Sequence, residues 1–85
     1  MDQILREQYP HEVAVYVQTG NRLGKCRAYL NKWCRDNIYE YDLTPIWVNQ
    51  NVTGYKIRCT NLDDWMMAKI RWEGVYVDRE IKDDD

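Results

Sequence analysis

The side chains able to do chemistry are few, and their supply already narrows what the chain can do. It contains no Ser, and His11 is its single histidine. Serine-nucleophile mechanisms are therefore excluded, and metal sites or triads that need several imidazoles are poorly supplied. Cys26, Cys34 and Cys59 are odd in number, irregularly spaced and lack a Cys-x-x-Cys pair. That pattern predicts reduced core thiols in place of a disulfide framework. Asp63-Asp64 reads as charge at a helix start, not as a metal pair. With no paired titratable groups at a credible spacing, the expectation is no catalysis, no cofactor and no bound metal.

What remains is chemistry suited to binding. Leu62, Trp65, Met66, Met67, Ala68, Ile70 and Trp72 spread around most of one predicted helix. A helix covering a sheet needs only an apolar stripe, so Trp65, Met67 and Trp72 become candidate protein-binding anchors, because Trp and Met are enriched at interface cores. An earlier predicted helix carries Lys25, Lys32 and Arg35 opposite its apolar stripe, with Tyr29 among them. Such a face suits an acidic protein surface or phosphates, although a merely solvated helix face has the same composition. Tyr16, Lys56 and Arg58 fall on strands with outward parity, the arrangement on which RNA-recognition sheets stack bases. They define the alternative reading, nucleic-acid or nucleotide binding. The net charge of -2 weighs against a chain built mainly for nucleic acid.

These sets need elements to hold them, and the periodicity supplies six. Val13, Val15 and Val17 alternate as a first strand, Asn21 stands where it can cap a helix, and Leu23, Cys26, Leu30, Trp33 and Cys34 form a helical stripe ending near Asn37. Tyr39, Tyr41 and Leu43 alternate as a second strand, interrupted by Pro45 and therefore placed at a sheet edge. Residues 49–54 are rich in turn formers and read as a loop. Tyr55, Ile57 and Cys59 form the third strand. Asn61 followed by Asp63 and Asp64 starts the second helix, which Gly74 stops. Val75-Tyr76-Val77 reads as a last strand, although Lys69–Trp72 could instead extend into a hairpin with it.

The order predicts an α+β, ferredoxin-like βαββαβ sandwich with both helices on one face of an antiparallel sheet. Its length of 85 residues suits one domain, with a lead-in over 1–10 and an acidic tail over 80–85. No apolar run approaches the ~20 residues of a membrane span, and the start lacks signal-peptide character, so the expected location is the cytoplasm.

From Tyr55 to Trp72 the pattern resembles small accessory proteins of tailed bacteriophages. The matching stretches are Tyr55-Lys56-Ile57-Arg58-Cys59, Asp63-Asp64 and Ala68-Lys69-Ile70-Arg71-Trp72. Ala68 stands where an aromatic is commoner. The resemblance implies a protein that binds and inhibits or redirects a bacterial host protein, including components of bacterial immunity. It carries over no functional residues. Self-association through the same patch, giving a homodimer, is the alternative use. Val17-Gln18 and Ile46–Asn51 are also similar to the phosphate loop and asparagine-bearing strand of acylphosphatases. Thr19 intervenes before Gly20, however, and neither Arg22 nor Arg27 has the register a phosphate cradle needs.

Overall fold

The structure is a computed structural model and describes residues 9–81. Three strands form one antiparallel sheet: β1 (His11–Tyr16), β2 (Tyr41–Val48) and β3 (Asn51–Cys59), in the order β1-β3-β2. Two helices, α1 (Leu23–Asn37) and α2 (Leu62–Trp72), follow β1 and β3 respectively. Short 3₁₀ turns occupy Gly20–Arg22 and Val77–Arg79.

The period-2 signal is realised in β1, where Val13 and Val15 are buried and Glu12 and Tyr16 are exposed. β3 takes the centre, pairing Val13 with Ile57 and Val15 with Tyr55 on one side and Leu43 with Ile57 on the other. Cys26, Leu30 and Cys34, at helical spacing on α1, close over Val15, Tyr55, Ile57 and Cys59 in one core. Ala68 and Trp72 of α2 complete it, so both helices lie on the same face of the sheet.

β2 is the edge expected from Pro45. It runs through that proline, pairing Pro45 with Tyr55. Strand alternation directs the Thr44 and Ile46 backbone groups toward β3 and those of Pro45 outward, where no ladder N–H is required. The predicted loop over 49–54 is absent. The chain instead turns at Asn49 and Gln50, both left-handed with φ of 50° and 70°, and β3 begins at Asn51. Two consecutive positive-φ residues make the tight hairpin whose twist matches the flanking strands. Gly54 lies inside β3, not in a turn. A Cβ there would collide with the Val15 carbonyl oxygen and lie 2.9 Å from Tyr16 Cα.

Two other boundaries move. The N-cap position of α1 is Arg22, with no side-chain cap bond, so Asn21 falls within the preceding 3₁₀ turn. Tyr39 lies ahead of β2 and is 87% exposed. Asn61 caps α2 as its type predicts, its Oδ1 accepting from the Asp63 and Asp64 amides at 2.8 and 3.3 Å. α2 continues through Lys69–Trp72, which excludes the hairpin alternative for that stretch.

The fourth strand, and with it the full ferredoxin-like order, is not found among the described residues. Gly74, at φ 77°, turns the chain after α2, and Tyr76 makes only a single bridge, parallel to Tyr16. Val77–Arg79 then coils into a 3₁₀ turn whose Val77, with Ile81 beyond it, packs into the core. A carboxylate holds that turn in place. Asp78 accepts from the Gln18 and Thr19 amides at 2.9 and 3.0 Å and from the Thr19 hydroxyl at 3.3 Å. The Arg22 guanidinium donates to the carbonyls of Asp78 and Ile81. Three donors, two amides and a hydroxyl, thus fasten this segment through one carboxylate. At the start of the predicted acidic tail, Glu80 pairs with Arg71 at 2.9 Å and Ile81 packs into the core. Residues 1–8 of the lead-in and 82–85 of the tail lie outside the described residues. Among the described residues no helix is long and apolar enough to cross a membrane.

Candidate functional site

The outer layer of the molecule is made by two helices lying side by side, and the seam between them is built around Trp72. Its indole meets the rings of Tyr29 and Trp33 edge-on, at 6.1 and 5.8 Å between centroids. The Arg71 guanidinium lies 4.0 Å from its ring centre. Trp72 is fully buried. It cannot serve as the exposed anchor that its sequence position suggested, because the helix phase turns it inward beside Ala68. Trp65 is half-buried on the same side of α2, donating its indole N–H to the Glu12 carbonyl at 2.9 Å. His11 and Lys69 pack on its ring at 5.7 and 5.0 Å.

The surplus apolar surface is elsewhere on α2. Leu62, Met66 and Ile70 recur every fourth residue, and they are 53%, 50% and 83% exposed, with Met67 at 36% beside them. Four large apolar side chains on the outward face of one helix are more than scattered exposure accounts for. Of the anchors proposed from sequence, Met67 belongs to this face and Trp65 borders it. The fourfold spacing of Leu62, Met66 and Ile70 was visible in the sequence. The two tryptophans do not mark the outward face, because ring size says nothing about helix phase.

Lys25, Lys32 and Arg35 are exposed on α1, as is Tyr29 at its margin with α2. α1 and α2 meet at the Trp72 seam, so the basic and the apolar faces both belong to the helical layer. Together they form a two-part surface, cationic on α1 and apolar on α2. Tyr39 extends it at one end, where its amide donates to Asp64 Oδ2 at 3.2 Å.

The open sheet face is less available than its sequence implied. Tyr16 is half-exposed, but Arg58 is buried. Glu12 lies between the two cations, 3.6 Å from Arg58 Nη2 and 3.8 Å from Lys56 Nζ. Asp42 stands opposite Arg58 on β2. Among the described residues two acids thus balance two bases across the three strands, which weakens the positive field that a phosphate backbone would need there. The Arg58 Nε and Nη1 and Asp42 Oδ2 are buried without hydrogen-bond partners. Their cross-strand register puts these complementary groups next to one another.

All three cysteines are free and buried. Burial pushes the Cys34 thiol up to about 12, with Cys59 beside it adding to the shift. Cys26 and Cys59 are also raised, first by burial and then by Asp78 and Asp64 respectively. Attack requires the thiolate, so none of them is placed as a nucleophile. The folded protein is expected to resist Ellman's reagent at neutral pH and to release all three thiols only in denaturant. Rapid stoichiometric labelling of the native state would contradict this burial. Among the described residues, no group of three or more His, Cys, Asp or Glu side chains is placed to hold a metal ion.

Compared with known proteins, the chain matches no family model, no curated protein and no solved structure.

Proposed function

We propose that this chain is a small interaction protein that docks the outward face of α2 onto another protein. The observation that carries this reading is the exposed stripe of Leu62, Met66 and Ile70 with Met67 alongside. The complementary partner presents an apolar groove flanked by acidic residues, so that Lys25, Lys32 and Arg35 steer its approach while the α2 side chains supply the affinity. The bacteriophage-like pattern over 55–72 supports a bacterial host protein as that partner, bound and inhibited or redirected in the host cytoplasm. An anti-defence role is the form of that activity the resemblance favours.

The test is capture of a partner from bacterial lysate by the wild type and by a Met66→Asp, Ile70→Asp variant. Both positions are at least half exposed, so the two substitutions together are expected to cost no more than about 1–2 kcal/mol of stability, which leaves the protein folded. Loss of binding is expected to be roughly 2 kcal/mol or more for each anchor. Lys25→Glu with Lys32→Glu is expected to slow association and to flatten its salt dependence. Equal retention of the same protein by the wild type and the α2 variant would refute the reading. Concentration-dependent dimerisation abolished by the same variant would assign the stripe to self-association instead.

A further inference from the structure

Between the outer edge of β1 and the flank of α2 lies a groove of about 440 Å³, whose walls include Ala14, Tyr16, Trp65, Lys69, Glu73 and Tyr76. The pairing of β1 determines what its floor offers. Backbone groups of an antiparallel strand alternate between the partner strand and the opposite edge. The Val17 amide bonds to the Thr53 carbonyl at 2.9 Å, so the odd residues face β3. Glu12, Ala14 and Tyr16 therefore direct their amides and carbonyls outward. The Glu12 carbonyl is taken by Trp65 Nε1 at 2.9 Å, and Tyr16 is bridged to Tyr76. Ala14, between them, keeps an N–H donor and a C=O acceptor with no partner among the described residues.

An added peptide strand does not fit this edge, because the positions on both sides of Ala14 are occupied. A flat ring does. It needs a donor and an acceptor side by side to satisfy Ala14, and a face that stacks on the Tyr16 or Tyr76 ring, with the Trp65 indole as wall. Tyr16 and Tyr76 are both about half exposed at the mouth. Glu12 and Glu73 outnumber Lys69 around the opening, so a phosphorylated ligand is disfavoured. We propose that this groove binds an uncharged planar heterocycle of nucleobase type, as a free base or nucleoside, through paired hydrogen bonds to the Ala14 amide and carbonyl. This site is separate from the outward face of α2, and its test is independent of that docking.

The experiment is an NMR titration of the isotope-labelled full chain with adenosine, with adenosine dimethylated on its exocyclic amine, with adenosine monophosphate and with single-stranded oligoadenylate. Adenosine is expected to shift the Ala14 amide and the Trp65 indole resonances. The dimethylated probe lacks the donor and is expected to bind up to about tenfold more weakly, the loss of one hydrogen bond. Ala14→Pro removes an N–H that the ladder does not use, and is expected to weaken adenosine by a similar factor while the thermal midpoint is preserved. If that variant fails to fold, the dimethylated probe tests the same contact on the unaltered chain. The proposal is overturned if millimolar adenosine shifts neither resonance, or if the dimethylated probe binds equally well. Tighter binding of the monophosphate or the oligonucleotide than of adenosine would also overturn it.

Discussion

Replacing Trp72 by Ala is expected to lower the unfolding free energy by about 3–5 kcal/mol, the range for deleting a large buried aromatic. A domain of this size has only ~5–10 kcal/mol to lose, so the variant should keep roughly half of its stability or less and unfold at a much lower urea concentration. The size of the effect follows from position: Trp72 is fully buried and joins α2 to Tyr29 and Trp33 of α1. Its indole N–H is also buried without a partner, which costs the wild type part of what the ring contributes. Trp72→Phe keeps an aromatic edge in the seam and removes that orphan donor, so its loss should be less than half that of Trp72→Ala. Urea unfolding followed by far-ultraviolet circular dichroism measures both. A Trp72→Ala protein with near-wild-type stability would mean that the indole is not the seam between the helices.

Loss of the Asp78 carboxylate should be nearly as costly, about 2–4 kcal/mol, because it strands buried donors as well as breaking charge-assisted hydrogen bonds. Burial by itself would raise the Asp78 pKa, but the Gln18 and Thr19 amides, with the Thr19 hydroxyl, outweigh burial and hold it below the usual aspartate range. A folded pKa below the unfolded value stabilises the native state when the group is ionised. That contribution is fully present above the unfolded aspartate pKa, ~3.9, and is lost as pH falls through the depressed folded value. Asp78→Asn is therefore expected to be destabilised at neutral pH and to converge on the wild type in acid. Chemical unfolding at several pH values reads this directly. A constant gap between the two proteins down to the lowest pH would show that the charge is not what fastens the C-terminal turn. Thr19→Ala removes only the longest of the three bonds and should cost less than about 1 kcal/mol.

These two residues also show how differently sequence and tertiary structure contribute here. Where a residue's role depends on its own neighbours along the chain, the sequence was sufficient. The alternating valines of β1, the stripe of Cys26, Leu30 and Cys34, the Asn61 cap and the edge placement of Pro45 are all local or periodic signals, and each appears in the fold. The α+β class with two helices on one sheet face follows from their order.

Other features depended on contacts between residues far apart in sequence. Val75-Tyr76-Val77 has the composition of a strand, yet its fate was decided by Asp78, whose carboxylate finds the Gln18 and Thr19 amides some sixty residues earlier in the chain. Asn49-Gln50 carries no glycine to announce a tight hairpin, and only the pairing of Val48 with Asn51 forces both residues into positive φ. Lys56 and Arg58 have outward parity by sequence, but the acids that neutralise them come from β1 and β2. The same holds for the candidate surface. Sequence identified an over-apolar second helix, while the packing of Tyr29 and Trp33 decided that Trp72 would be core and that Leu62, Met66 and Ile70 would face solvent. Periodicity gives the angular spacing of side chains around a helix. Which part of that circle turns inward is decided by the surfaces available to bury it, and those exist only once the chain has folded.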